Sequence, residues 1–179
     1  VMSMAGVEFD SEKLEQKLGI QQRHIAHLRG IDETTADFAT NAARNAIENA
    51  GIDPMEVGLF IVGSDTPEFI SPCTALLVQG RIQANQTWSG SFDINSSCAS
   101  FAIALDYAAS KMAADPTVKY AVVTGVYNMP SFFVEGDAFA YSIFADGAGS
   151  VVLERVEDDD ASGYITGQQL TDGTQWDYI

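Results

Sequence analysis

The chain has 179 residues, 46% of them hydrophobic, and a mean hydropathy of +0.02, which together predict one soluble domain with a well-packed core. Its formal net charge of -16 comes from 25 acidic and 9 basic residues, and this acidity disfavours binding to nucleic acid. Because no apolar run approaches the ~20 residues of a membrane-spanning helix and no signal peptide is evident, we expect a cytoplasmic protein without membrane contacts.

Strands and helices alternate along the first half of the chain. The pattern predicts a short charged helix over 11–17, an alanine-rich helix over 34–50 that ends at Gly51, and a buried strand over 57–63. Pro72 is predicted to lie in the first turn of another helix, reaching about residue 82, because a proline N–H is not needed there. The apolar stripe of the helix over 34–50 comprises Phe38, Ala39, Ala42, Ala43, Ala46, Ile47 and Ala50.

The second half continues the alternation. The pattern predicts a strand at Phe92 and Ile94, a helix over 98–114, and strands over 120–125, 151–153 and 164–170. Residues 146–149, Asp-Gly-Ala-Gly, lead into a strand rather than a helix and lack a following lysine, so they predict a tight turn rather than a phosphate-binding loop. The alternation as a whole predicts an α/β fold, with a mostly parallel sheet covered by helices on both faces.

The chain has two cysteines, Cys73 and Cys98, which we expect to be reduced. Their neighbours do not resemble metal ligands, and the lack of a Cys-x-x-Cys pair makes a redox or sulfur-transfer protein a weak alternative. Cys98 follows a predicted strand and opens a predicted helix, where free N–H groups and the helix dipole stabilise a thiolate. The pattern therefore predicts a nucleophile at Cys98, although a buried structural cysteine fits the same local pattern. Cys73 is predicted to be packing material.

Four segments, in the same order along the chain, resemble one family. Residues 96–101, Ser-Ser-Cys-Ala-Ser-Phe, are similar to the active-site segment of beta-ketoacyl-acyl-carrier-protein synthase III, where Ala-Cys-Ala-Gly-Phe is common. Residues 19–26 resemble its Gly-Ile-x-x-Arg-x-Ile-Ala segment, and Glu-Thr at 33–34 precedes an alanine-rich helix as in the family. Residues 144–153 resemble its Phe-Gly-Asp-Gly-Ala-Gly-Ala-x-Val-Leu segment.

The resemblance implies the N-terminal half of a thiolase-like fold, as a single domain over 1–179. It implies that Cys98 takes an acyl group from coenzyme A and that the acyl group is condensed with malonyl-acyl carrier protein, in fatty acid or polyketide biosynthesis. Acyl-coenzyme A would be a substrate, and no metal or redox cofactor is implied. A histidine and an asparagine from the family's C-terminal half complete the site, so we expect this chain to be a fragment or to be completed by a second polypeptide.

The family also implies roles outside the nucleophile segment. Lys17 and Arg23 are candidates for the coenzyme entrance, although the family's entrance tryptophan has no counterpart over 12–17. His24 and His27 are expected to be non-catalytic. Two further expectations follow. Phe69, Ile70 and Ser71 lie where the family has a dimer-facing loop. The large aromatic residues Trp88, Phe132 and Phe133 are predicted to be core or acyl-pocket residues, with core favoured.

Two functions from different classes therefore remain open. The first is a condensing acyltransferase that works as a homodimer or with a partner chain and interacts with acyl-coenzyme A and acyl carrier protein. The second is a non-catalytic thiolase-fold half that acts in assembly with a partner chain, because half of such a fold leaves apolar surface uncovered.

Overall fold

A computed structural model describes residues 6, 10–26, 33–84, 87–129, 134, 136–156 and 163–177. The helices are α1 (Ser11–Leu18), α2 (Thr35–Ala50), α3 (Thr74–Ile82), α4 (Ser100–Ala114) and α5 (Ala138–Ile143). The strands are β1 (Val57–Gly63), β2 (Gly90–Ile94), β3 (Tyr120–Asn128) and β4 (Asp146–Glu154). Short 3-10 turns span Pro54–Glu56, Ser97–Ala99 and Gly173–Gln175. In the described part of the chain, no helix has the length and apolar character needed to cross a membrane.

The four strands form one mixed sheet in the order β2-β1-β3-β4. The central strand β1 is parallel to both β2 and β3, whereas β4 runs antiparallel to β3. Gly63, at the end of β1, lies opposite Ile94 of β2 and Gly125 of β3. The carboxyl ends of three strands therefore meet at one edge of the sheet, and the predicted mostly parallel sheet is confirmed.

Helices cover both faces of the sheet, as the alternation predicts. Even-numbered residues of β1 and β3, such as Phe60 and Val122, pack with α2 and α3, because successive side chains of a strand point to opposite faces. Odd-numbered residues pack with α4, which contributes Ala104, Ala108 and Met112. Small alanines on α2 and α4 let both helices approach the sheet closely.

The long helix α2 begins and ends as its sequence predicts. A capping box joins Thr34 to Asp37, and Gly51 ends the helix with a left-handed φ of 67°. The buried stripe is rotated from the predicted one: Ala36 and Thr40 are buried and Ala50 is exposed. Thr40 tolerates burial because its hydroxyl donates to the Ala36 carbonyl at 2.6 Å.

The start of α3 differs from the prediction. The helix begins at Thr74 with Cys73 as its N-cap, so Pro72 precedes the helix rather than lying in its first turn. Cys73 makes no side-chain cap, and Asp93 of β2 replaces it: its two carboxylate oxygens accept the Thr74 and Ala75 amides, each at 2.7 Å. A residue 19 positions away in sequence thus closes this helix end.

Two predictions for the C-terminal region are wrong. Residues 146–149 are not a turn: they begin β4, and Gly147 and Gly149 lie opposite Tyr127 and Gly125 of β3. Residues 164–170 form no strand. Instead, Tyr164 and Gln169 donate to the Asp106 carboxylate on α4. Side-chain hydrogen bonds to a helix, rather than backbone hydrogen bonds to a strand, therefore attach this segment.

The prediction that Trp88 belongs to the core is also wrong, because its side chain is 99% exposed. Phe132 and Phe133, which carried the same prediction, lie outside the described residues. At the expected dimer-facing loop, Ile70 is fully exposed and Phe69 is about half exposed.

Candidate active site

Cys98 lies where β2 passes into α4. The strand ends at Ile94, a 3-10 turn spans Ser97–Ala99, and α4 begins at Ser100. The α-helix therefore begins two residues later than predicted, and Cys98 lies in the 3-10 turn rather than in the first α-helical turn. Its side chain is exposed, which excludes the alternative of a buried structural cysteine, whereas Cys73 is partly buried.

Hydrogen bonds within the turn fix the backbone around Cys98. The Ser100 hydroxyl accepts the Ser96 amide at 2.8 Å and donates to the Ser97 carbonyl at 2.6 Å, and the Asn95 side chain accepts the Ser97 amide at 3.1 Å. These bonds hold Ser97 at a φ of 48°, in the left-handed region that costs free energy for a residue other than glycine. The structure assigns the Cys98 amide no acceptor among the described residues. The turn therefore presents one backbone donor beside the sulfur atom.

Two glycines let the start of α4 approach the sheet. A Cβ atom at Gly63 would lie 2.8 Å from the carbonyl carbon and oxygen of Ser100, and one at Gly125 would lie 3.0 Å from the Phe101 ring. Both positions are on the α4 face of the sheet. A side chain at Gly63 would push the turn outward, so glycine at this position sets where the sulfur atom lies.

A cavity of about 240 Å³ opens beside Cys98 at the carboxyl edge of the parallel strands. Backbone and small side chains form most of its wall, and glycines of β4 lie opposite β3 there. The lining residues are Gly63, Ser64, Asp65, Ser97, Cys98, Ser100, Phe101, Gly125, Val126, Tyr127, Gly147, Ala148 and Gly149.

Two titratable side chains share this cavity with Cys98, and neither was predicted from the sequence. Burial, together with the charges of Asp65 and Cys98, raises the pKa of Tyr127 to about 12. The Asp65 Oδ1 atom is buried and has no hydrogen-bond partner among the described residues. Asp65 lies two residues after the end of β1, and Tyr127 is the penultimate residue of β3. Their places near the ends of two buried strands are a signal that could have put them at the sheet edge.

The segment around Asp65 is anchored on three sides. The Ser64 amide donates to the Ile94 carbonyl of β2 at 3.1 Å, and the Asn128 amide of β3 donates to the Thr66 hydroxyl at 2.9 Å. The Thr35 hydroxyl of α2 donates to the Thr66 carbonyl at 2.8 Å. The neighbours of Asp65 are therefore fixed, and this network fixes where its carboxylate enters the cavity.

The predicted coenzyme-entrance residues, Lys17 and Arg23, do not line this cavity. Lys17 is exposed near the end of α1. Arg23 donates from Nη1 to the Phe144 carbonyl at 2.8 Å, and partial burial lowers its pKa. A role for either residue at a coenzyme entrance stays a prediction.

Residues 19–26 and 144–153, two of the segments that carry the resemblance, contact each other. The Asp146 amide donates to the His24 carbonyl at 2.8 Å, and the Asp146 carboxylate accepts the Ala26 amide at 2.7 Å. The His24 side chain is exposed and does not line the Cys98 cavity, whereas His27 lies outside the described residues. Within the described ranges, no group of three His, Cys, Asp or Glu residues could hold a metal ion.

Comparisons with known proteins agree with this geometry. Residues 92–173, which include Cys98 and most of the cavity, match the family model of 3-oxoacyl-[acyl-carrier-protein (ACP)] synthase III. The beta-ketoacyl-[acyl-carrier-protein] synthase III of Wolbachia pipientis subsp. Culex pipiens (strain wPip) is 36% identical over 167 residues, 93% of this chain and 50% of the relative. The chain thus spans about half the length of the curated relatives it matches.

Solved structures show the same likeness. The 3-oxoacyl-[acyl-carrier-protein] synthase III of Aquifex aeolicus VF5 matches with a TM-score of 0.70 and 36% identity, over 78% of this chain and 43% of that one. The corresponding enzyme of Pseudomonas aeruginosa PAO1 matches with a TM-score of 0.75 and 25% identity, over 88% of this chain and 46% of that one. The fold of this chain is therefore that of one half of these proteins.

Proposed function

Because this chain matches the N-terminal half of beta-ketoacyl-acyl-carrier-protein synthase III in sequence and in fold, we propose that it carries the acyl-accepting part of such an enzyme. Cys98 is the nucleophile in this proposal. The single observation that carries it is the position of Cys98: exposed, in a hydrogen-bonded turn, at a cavity where the carboxyl ends of the parallel strands meet.

The chemistry follows from the groups around the sulfur atom. The Cys98 thiolate attacks the carbonyl carbon of a thioester, and the electron pair of the C=O π bond moves to oxygen. The Cys98 amide, which has no acceptor among the described residues, is available to stabilise the oxyanion. Collapse of the tetrahedral intermediate expels the donor thiolate and leaves the acyl group on Cys98.

Condensation with malonyl-acyl carrier protein needs further groups. The resemblance implies a histidine and an asparagine, and neither residue type is among the described residues that line the cavity. We therefore assign acylation of Cys98 to this chain and assign the condensation step to the complete enzyme, in which a further segment or a second polypeptide contributes those two side chains.

Acyl-coenzyme A is the proposed donor and acyl carrier protein the proposed partner, in a cytoplasmic enzyme that assembles as a homodimer or with a partner chain. Both molecules are anionic, and the chain carries a net charge of -16, so they require a local basic surface. Lys17 and Arg23 are our candidates for that surface, because the resemblance implies that their part of the chain is either structural or lines the coenzyme entrance.

Intact-mass spectrometry after incubation with acetyl-coenzyme A tests the proposal. We expect one acetyl adduct, and peptide mapping should place it on Cys98. The Cys98→Ser variant should lose the adduct, whereas the Cys73→Ser variant should keep it and serves as the matched control.

An adduct of equal yield on both cysteines would indicate nonspecific thiol chemistry and would contradict the proposal. The absence of any adduct on the wild-type chain would favour the alternative function, a thiolase-fold half that acts only in assembly.

A further inference from the structure

The pairing register of β1 and β3 places two side chains together at the cavity. Odd-numbered residues of both strands face α4, and Gly63 lies opposite Gly125. The next position on that face is Asp65 on one chain segment and Tyr127 on the other, and both line the cavity with Cys98. The two glycines bring the turn down onto the sheet, so the first side chains beyond them line the same cavity as Cys98.

Aromatic packing holds the Tyr127 ring. Its centroid lies 5.6 Å from that of Phe144, and the Phe144 ring packs edge-on against Phe139 at 5.9 Å. Gly147 of β4 lies opposite Tyr127, so no neighbouring side chain from that strand fills the space beside it. The ring is fixed while one side of it stays open to the cavity.

The Tyr127 hydroxyl has no hydrogen-bond partner among the described residues, although Asp65 is close enough for its charge to act on the phenol. A hydroxyl that donates no hydrogen bond to the described part of the protein is available to donate one to a ligand. Burial, followed by the electrostatic effects of Asp65 and Cys98, raises the pKa of Tyr127 to about 12. A tyrosine hydroxyl is a neutral donor at physiological pH even at its ordinary pKa of about 10, and Tyr127 keeps that state.

We propose that the Tyr127 hydroxyl donates a hydrogen bond to the carbonyl oxygen of the thioester that Cys98 attacks. This inference rests on the proposed function, because it assigns Tyr127 a role in that same acyl transfer. The sulfur–carbon bond forms as negative charge moves onto the carbonyl oxygen, and Tyr127 stabilises that charge while keeping its proton. When the intermediate collapses, the C=O bond is restored and the donor thiolate leaves.

Tyr127 would act together with the Cys98 amide as a second donor. Fixed donors of this kind stabilise charge that develops in the transition state, and removing one typically slows a reaction by about 100- to 1000-fold. Tyr127 is thus the second catalytic donor in this proposal.

The Tyr127→Phe variant tests this role by comparing two reactions of the same sulfur atom. Acylation by acetyl-coenzyme A forms an oxyanion, whereas alkylation by iodoacetamide does not. We expect the variant to be acylated about 10- to 100-fold more slowly than the wild type. This loss is smaller than is typical for removal of one donor, because the Cys98 amide remains. The rate of alkylation should equal that of the wild type. Phenylalanine keeps the ring contact with Phe144, so the fold should be retained, which circular dichroism checks.

Tyr107→Phe is the matched control, because Tyr107 lies on α4 outside the cavity, and both of its rates should equal those of the wild type. Equal acylation rates for Tyr127→Phe and wild type would overturn the inference and leave the proposed function intact. A parallel fall in acylation and alkylation would also overturn it, since that result indicates a structural role. A wild-type chain that takes no acyl group would overturn both.

Discussion

Cys73 and Cys98 each lie beside the start of a helix that follows a strand of the same sheet, but the two helix starts are built differently. The N-terminal amides of α3, beside Cys73, are occupied by the Asp93 carboxylate. The turn before α4 is closed by neutral groups, the hydroxyl of Ser100 and the amide of Asn95, and its Cys98 amide faces no acceptor among the described residues. The two helix starts therefore differ in whether a backbone donor beside the cysteine is left for a ligand, and only the start beside Cys98 leaves one among the described residues.

The largest expected effect comes from disturbing the close approach of α4 to the sheet. This approach positions the turn that contains Cys98, whereas the helix start beside Cys73 does not depend on it. In Gly63→Ala, the new Cβ would meet the backbone of Ser100 and Phe101 within 3 Å, so the turn must shift. We expect a loss of about 1–3 kcal/mol in the free energy of unfolding, measured by urea denaturation. Acylation of Cys98 should fall at least about 10-fold, because catalysis is sensitive to displacement of the nucleophile.

Gly80→Ala is the control for this substitution, because Gly80 lies in α3 with open space around its Cβ position. It should raise stability by about 0.5–1 kcal/mol through helix propensity and leave acylation unchanged. A Gly63→Ala variant that keeps wild-type acylation would show that the glycine does not set the position of the sulfur atom.

An intermediate effect is expected from removing the carboxylate that caps the start of α3, beside Cys73. Asp93→Ala removes the acceptor of two α3 amides, so we expect a loss of about 1–2 kcal/mol in the free energy of unfolding. Acylation should stay on Cys98, because a freed helix end alone does not supply the cavity. Asp172→Ala, at an exposed 3-10 turn, is the control and should change stability by less than about 0.5 kcal/mol. New acylation at Cys73 would contradict this, because it would show that free amides at a helix start suffice without the cavity.

The smallest effect concerns α2, whose start is closed by its own capping box. Hydrogen bonds from Thr34, with a further contribution from Arg81, lower the pKa of Asp37 below its ordinary value of 3.8. Its contribution to stability is therefore fully present above that value and is lost as the pH falls through the lower pKa of the folded state. Asp37→Asn should cost about 0.5–1 kcal/mol at pH 7, a modest value because the carboxylate is largely solvated.

Urea denaturation of both proteins at a series of pH values checks this prediction. The difference between wild type and Asp37→Asn should narrow as the pH falls below about 4, because the wild-type carboxylate is then protonated as well. A difference that stays constant with pH would mean that the charge of Asp37 contributes nothing.

Features encoded locally could be read from the sequence. The bounds of β1, the glycine end of α2 and the position of Cys98 after a strand each depend on residues close together in the chain. The resemblance added the family, which the matches to synthase III enzymes bear out. Local pattern and family likeness were therefore enough for the fold, whereas the role of Cys98 as nucleophile stays a prediction.

Features set by pairing between distant segments could not be read in the same way. Asp-Gly-Ala-Gly at 146–149 has the composition of a turn, but pairing with β3 extends it into a strand. Asp93 replaces a helix cap from a neighbouring strand. The cluster of Asp65, Tyr127 and Cys98 depends on the register of β1 against β3, which no single segment contains.

The glycines of β4 have a consequence for motion at the cavity. Gly147 and Gly149 have no χ angles, so the wall they form cannot change its width by rotamer hopping on the picosecond to nanosecond timescale. The position of this part of the wall is fixed by the hydrogen bonds that pair β4 with β3, strands that lie about 4.8 Å apart. An acyl chain lying there would meet a surface whose shape is as constant as the sheet itself.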